Sequence, residues 1–162
     1  MILVLLGTQY KIFSRLLKYV DELVNKKIIK DKVIAQVGCT KYDTKNIEMF
    51  DFIPRDEMSK LVNEADVIIT HGGVGFITEA IQKGKKVIAV PRLKKYNEHT
   101  NDHQLQIINE FSRLGYILPL YEDDTLENVF DKLKTFKPKK YKKNNNIVQM
   151  IEEFIDSNTS FR

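Results

Sequence analysis

Residues Thr70–Pro91 read THGGVGFITEAIQKGKKVIAVP. An apolar run, Val67 to Thr70, leads into His71, and Gly72, Gly73 and Gly75 follow within four positions. Ile77, Ala80 and Ile81 then fall at helical spacing, Gly84 suits the residue after a helix end, and Val87 to Val90 is a second apolar run stopped by Pro91. A strand, a glycine loop, a helix and a strand in that order make one unit of a parallel sheet. Runs as apolar as VIIT and VIAV are buried on both faces.

The same alternation continues in both directions. Ile2 to Leu6 is a continuous apolar run, followed by Phe13, Leu16, Leu17, Val20, Leu23 and Val24 at helical spacing. Val33 to Val37 and Met49 to Ile53 read as the second and third strands, the latter stopped by Pro54. Met58, Leu61, Val62 and Ala65 mark a short amphipathic helix before the fourth strand. Beyond Pro91, Leu105, Ile108 and Phe111 give a helix closed by Gly115, and Tyr116 to Leu118 a short sixth strand. Asp124 with Glu127 resembles a capping box ahead of Leu126, Val129, Phe130 and Leu133. Ile147, Ile151, Phe154 and Ile155 mark a terminal helix, with fraying expected over residues 157–162. The expectation is a doubly wound α/β fold with a mostly parallel six-stranded sheet. It divides into a Rossmann-like domain over 1–136, a basic linker over 137–146, and a terminal helix and tail over 147–162.

Composition narrows the function. With 43% hydrophobic residues in 162, the chain is a globular domain rather than a disordered one. The single cysteine, Cys39, rules out an internal disulfide framework and is expected to be a small core residue in a reducing, cytoplasmic setting. No apolar run approaches the roughly 20 residues a membrane span needs. The net charge of +4 is concentrated in KPKKYKK, Lys137 to Lys143. That run reads as a solvated linker or as a segment drawn to anionic lipid. A single tyrosine among lysines is a poor stacking platform for nucleic acid, so no nucleic-acid partner is expected.

The glycine loop carries the chemistry. A helix N-terminus presents unpaired N–H groups and a partial positive charge, which suit a phosphate. Gly72, Gly73 and Gly75 bring bare backbone to that point, and His71 adds a hydrogen-bonding group. A tight strand-to-helix turn without ligand is the alternative. The P-loop signature is missing, and Gly73-x-Gly75-x-x-Thr78 is a broken dinucleotide fingerprint. No acid follows the fifth strand to hold a ribose, and Arg92 there is at most a weak candidate for a 2′-phosphate. Asp-x-Asp does not occur, and His71, His99 and His103 are not at zinc-protease spacing, so no metal is expected. Glu79 is placed to accept bonds from two ribose hydroxyls, or is an exposed helix glutamate. Asn97 to Gln104, NEHTNDHQ, offers Asn101, His103 and Gln104 to sugar hydroxyls, or Asn101 and Asp102 as helix caps.

HGGVGFITEAIQKGKKVIAVPR…NDHQLQIINEFSRLGY resembles the donor-binding half of GT-B glycosyltransferases of the lipid II synthase type, family 28. It is most similar to the small, separate-chain members that form dolichol-linked chitobiose or transfer galactose or glucuronate in exopolysaccharide and capsule synthesis. The resemblance covers most of the chain and implies a single GT-B half-domain that binds a UDP-sugar. It implies diphosphate contacts from Gly7, Thr8, His71, Gly72, Gly73 and Gly75. Phe52 and Ile53 match the segment that holds uracil, Glu79 the ribose, and Asn101, His103 and Gln104 the sugar. Relatives often carry Asp-Gln where His103-Gln104 stands, which leaves the sugar open.

The reaction implied is inverting transfer of a hexose of the galactose, glucuronate or N-acetylglucosamine type to a lipid-linked saccharide. No cofactor is implied; the UDP-sugar is the donor substrate. The acceptor half is missing, so a membrane-associated partner chain is expected to bind the acceptor, supply the base and recruit this chain to the inner face of the membrane. The terminal helix and lysine run are its candidate docking elements. His71 and His103 are weak candidates for the base. The competing reading is a non-catalytic nucleotide-sugar module that activates a partner transferase. A nucleotide-sugar epimerase is disfavoured by the short chain.

Overall fold

The computed structural model describes residues 1–142 and 146–159. Six strands alternate with helices: β1 (Ile2–Leu5), α1 (Ser14–Asn25), β2 (Val33–Gln36), β3 (Glu48–Phe50), α2 (Arg55–Glu64), β4 (Val67–His71), α3 (Val74–Gln82) and β5 (Lys86–Val90). A 3-10 turn at Lys94–Tyr96 precedes α4 (His103–Arg113), β6 (Leu118–Pro119), α5 (Leu126–Lys132) and α6 (Ile147–Thr159). The sheet order is β3-β2-β1-β4-β5-β6, and every neighbouring pair is parallel.

The apolar runs explain the layers. Side chains alternate across a strand, so Ile2 and Val4 enter one core with Leu16, Leu17 and Val20 of α1 and Val129 of α5. Leu3 and Leu5 enter the opposite core with Val62 of α2, Ile77 of α3, and Ile108 and Phe111 of α4. Both faces of β1 are therefore dry. Burying each such Leu or Ile is worth about 1.5–3 kcal/mol, so this strand cannot exchange faces cheaply. Helix α3 stops at Gly84, whose φ of 68° closes a Schellman pair: Gly84 N donates to Ile81 O and Lys85 N to Ala80 O.

Six details depart from the sequence reading. β3 ends at Phe50, because Phe52 is exposed and only Ile53 of that tail packs on the core. β6 is shifted to Leu118–Pro119; Tyr116 and Ile117 are buried ahead of it, and an edge strand tolerates Pro119. The cap of α5 is Thr125, whose hydroxyl accepts from Asn128 N, while Asp124 accepts from Thr125 N and the Asn128 side chain instead of forming a box with Glu127. α6 stays helical through Thr159 rather than fraying at 157; 160–162 lie outside the described residues. Cys39 is exposed, not core, because it follows Gly38 in the loop beyond β2. The lysine run is not wholly solvated: Lys139 N donates to Gly115 O, and Tyr141 packs near Tyr116 at 6.0 Å between ring centroids. Lys143 lies outside the described residues.

From β1 the chain winds one way to β2 and β3, and from β4 the other way to β5 and β6. The carboxyl ends of β1 and β4 therefore flank the switch point, where ligands of open α/β sheets bind. Gly7 follows β1 and His71–Gly73 close β4 at that place.

Candidate donor site

The switch-point crevice is built around His71. Its imidazole is buried, and added Cβ atoms at Gly7 and Gly73 would lie only 2.6 Å and 2.3 Å from ring nitrogen Nε2. Those two glycines make room for the histidine, not only for a ligand. Nδ1 lies 3.3 Å from the Leu5 carbonyl, and Phe76 meets the ring edge-on at 5.7 Å. Burial first, then the nearby Arg92 charge, push His71 down to about 4; the Leu5 bond opposes them. A neutral ring with its proton on Nδ1 leaves a lone pair on Nε2, so bonding a phosphate oxygen there needs a second proton.

Gln104 fixes the loop from the other side. Oε1 accepts from Gly72 N at 2.9 Å and from Arg92 N at 3.0 Å, joining the ends of β4 and β5. An added Cβ at Gly72 would lie 2.6 Å from Gln104 Cβ. The Gly72 amide is thus engaged within the chain. Gly7 is engaged as well: Gln36 Oε1 accepts from its N and Gln36 Nε2 donates to its O, both at 3.1 Å. Thr8 beside it is exposed.

The amide of Gly73 and those of the first turn of α3 have no acceptor among the described residues. Helix α3 has Gly73 as its N-cap and no side-chain cap; its first internal bond runs from Ile77 N to Gly73 O. The N–H groups of Val74, Gly75 and Phe76 are left, with the positive end of the helix dipole behind them. An added Cβ at Gly75 would meet nothing within 4 Å, so this face is open. Val74 and Phe76 were passed over in the sequence because amides, unlike side chains, leave no residue-type signal.

The remaining candidates have partners of their own. One α-helical turn further, Glu79 pairs with Lys83 at 3.1 Å, and Lys83 also donates to Ser59 Oγ at 2.8 Å. Phe52 lies over Gly38, whose added Cβ would be 3.2 Å from Phe52 Cζ. Asn101 Oδ1 accepts from His103 N and so holds the first turn of α4, while Asp102 accepts from Lys94 N.

Arg92 is not available to a ligand, contrary to the 2′-phosphate reading. It is 1% exposed and donates to the carbonyls of Leu6, Lys11 and Glu98, under the Phe13 ring at 4.9 Å. Burial pushes it down to about 10, against the opposing Glu98 charge. Glu98, also buried, takes a bidentate bond from Arg15 at 2.8 Å and one from Leu93 N. Gln36, Arg15 and Glu98 went unnoticed in the sequence because each looks like an ordinary polar residue until its distant partners are known. Among the described residues no group of three or more His, Cys, Asp or Glu is arranged to hold a metal ion.

The glycosyltransferase family 28 C-terminal domain matches residues 1–157. The chain belongs to that family. The family 28 chain is 27% identical over 96 residues to the UDP-N-acetylglucosamine transferase subunit ALG13 of Candida glabrata, covering 57% of this chain and 44% of that protein. It thus spans less than half the length of that curated relative. Its fold matches the solution structure of ALG13 with a TM-score of 0.63 at 19% identity, over 96% of each chain. It also matches the calicheamicin glycosyltransferase CalG4, with a TM-score of 0.61 at 15% identity, over 98% of this chain and 38% of that one. The domain therefore corresponds to well under half of the CalG4 chain. No helix among its described residues is long and apolar enough to cross a membrane.

Proposed function

We propose that this family 28 domain is the donor-binding subunit of a two-component, inverting UDP-sugar glycosyltransferase. The observation that carries the reading is the uncapped start of α3 at the switch point, with unpaired amides in its first turn and open space beside Gly75. A diphosphate there accepts from Val74, Gly75 and Phe76 N–H, as anions do at helix N-termini. Glu79, about one turn further along α3, accepts from the ribose hydroxyls, and Phe52 and Ile53 border the uracil. Asn101, His103 and Gln104 face the sugar; with Oε1 occupied, Gln104 offers its Nε2. Among the expected donors the relatives' names favour UDP-N-acetylglucosamine over UDP-galactose or UDP-glucuronate. Nothing in the similarity favours an exopolysaccharide or capsule product.

In transfer, an acceptor hydroxyl forms a bond to the anomeric carbon as the bond to the β-phosphate oxygen breaks. The hydroxyl proton passes to a base on the partner chain. The leaving UDP gains negative charge, which the fixed amides and helix dipole of α3 stabilise without rearranging. Removing one such donor costs about 3 kcal/mol in characterised enzymes. His71 is poorly placed as the base: its ring is buried between Gly7 and Gly73, and burial pushes it down to about 4.

The partner is a membrane-associated chain that binds a lipid-linked saccharide, and α6 is its docking element. Ile147 and Ile151 are buried, while Met150 is exposed on the same helix. Transfer from each of the three UDP-sugars by the co-purified complex tests the reading. Label from UDP-N-acetylglucosamine in the lipid product supports it. Retained transfer when the domain's nucleotide binding is abolished favours the non-catalytic alternative.

A further inference from the structure

Resting on the donor-binding reading, we infer that the cavity between the loop after β1 and the 3-10 turn after β5 holds a sugar ring of the acceptor. The donor domain then contributes directly to acceptor binding.

Position is the first argument. This cavity, about 360 Å³, is lined by Tyr10, Lys11, Ile12, Ser14, Tyr96 and Asn97 above a floor of Arg15 and Glu98. It opens on the carboxyl edge of the sheet, where the glycine loop also lies. Gln9 and His99 join the two loops on its inner side, with 3.1 Å between their Nε2 atoms. His99 Nδ1 in turn accepts from Asn101 N at 3.3 Å. The cavity is thus one step outward from the residues assigned to the donor sugar. A larger cavity, about 680 Å³, lies between the far end of α4 and α6, on another flank.

Chemistry is the second. The volume falls in the small-ligand range. Tyr10 is 73% exposed and Tyr96 49%, a large aromatic area for one edge. Tyr96 is held in place: its hydroxyl donates to Glu122 Oε1 at 2.7 Å, and the Arg15 guanidinium lies 4.9 Å from its ring centroid. A ring fixed beforehand loses little entropy when a ligand arrives. Lys95 Nζ also lies over the Tyr96 ring at 5.0 Å and Lys11 Nζ over that of Tyr10 at 5.9 Å, so the aromatic area left for the C–H face of a pyranose is chiefly that of the more exposed Tyr10. Ser14 Oγ, Tyr10 OH and Asn97 Nδ2 have no hydrogen bond among the described residues, whereas Asn97 Oδ1 is taken by Lys11 Nζ at 2.7 Å. Asn97 itself is fixed at φ 56°, a left-handed conformation asparagine adopts at low cost. Arg15 and Glu98 pair on the floor, and Lys11, bonded to Asn97, is the remaining charged group of the lining, able to donate to a sugar hydroxyl.

The test is an NMR titration of the full chain, with UDP present, by the methyl glycosides of N-acetylglucosamine, galactose and glucose to tens of millimolar. The expected result is shifts at Tyr10, Ile12, Tyr96 and Asn97 with at least one glycoside. Tyr10→Ala, a change at an exposed residue, should weaken that binding about 2- to 10-fold. Ser14→Ala should weaken it independently. UDP affinity, measured by calorimetry on the same samples, should not change. Absence of shifts at the cavity with all three glycosides overturns the inference, as does unchanged glycoside binding in both variants. Shifts that arise only when a partner chain is added make the cavity a protein contact and overturn it too. Loss of UDP binding with glycoside shifts intact sinks the donor reading; the reverse pattern sinks the cavity alone.

Discussion

Gln104 Oε1 accepts the amide proton of Gly72 at 2.9 Å, across 32 positions of sequence. The same oxygen holds Arg92 N, so one side chain ties the ends of β4 and β5 together. Gln104→Leu keeps similar bulk but orphans two buried N–H groups, each costing about 1–3 kcal/mol. Urea denaturation should show that loss. Gln104→Glu keeps the acceptor and most of the stability, yet should weaken UDP binding by placing negative charge beside the diphosphate. Equal stability of Gln104→Leu and wild type would remove the clamp from the account.

The glycines of the loop have separable duties. Gly73→Ala drives a methyl group into the His71 ring, which Gly7 prevents from retreating. A cost of about 1–3 kcal/mol is expected, as for other overpacked sites. Adding His71→Ala should recover part of it in a double-mutant cycle. Gly75→Ala meets no neighbour and should stabilise the helix by up to about 1 kcal/mol, while lowering UDP affinity because the methyl stands where the diphosphate approaches. Gly75→Ala with undiminished affinity would place the diphosphate elsewhere.

His71 makes stability pH-dependent. Its native value of about 4 lies below the ordinary 6.5, so between those values the unfolded chain binds a proton that the native chain does not. The contribution is complete above pH 6.5 and is lost as pH falls toward 4. A shift of that size amounts to about 3 kcal/mol. The His71 imidazole resonances should still report a neutral ring at pH 5.5, while the urea midpoint falls across the window. Titration of His71 near its ordinary value would contradict the burial argument.

Most of the fold could be read from the sequence because apolar runs of four to five residues report strands buried on both faces. Gly84 and Gly115 marked helix ends correctly, since the backbone there needs positive φ. The glycine loop and its helix were visible because three glycines stand between an apolar run and a helical spacing. What stayed hidden was the set of side chains that hold the loop. Gln36 reaches Gly7 across 29 positions, and Arg92 reaches Leu6 across 86. Local pattern carries no trace of such pairs. Glycines also read alike whether they admit a ligand or a histidine ring, and only the folded chain separates Gly75 from Gly73.

Glu79 should report on the ribose. If its carboxylate accepts from both hydroxyls, wild type prefers UDP over 2′-deoxy-UDP and Glu79→Ala loses the preference. Lys83 keeps its Ser59 partner in that variant, so the local fold is retained. Calorimetry with both nucleotides measures it. An unchanged preference would leave Glu79 as the ion-pair partner of Lys83 and nothing more.

The most direct measurement is a UDP titration of the ¹⁵N-labelled chain, followed at the amides of Val74, Gly75 and Phe76. The account predicts saturable shifts there, among the largest in the spectrum, because those N–H groups gain their first acceptor. Saturation by UDP with these three resonances unmoved, or no binding at all, would contradict it.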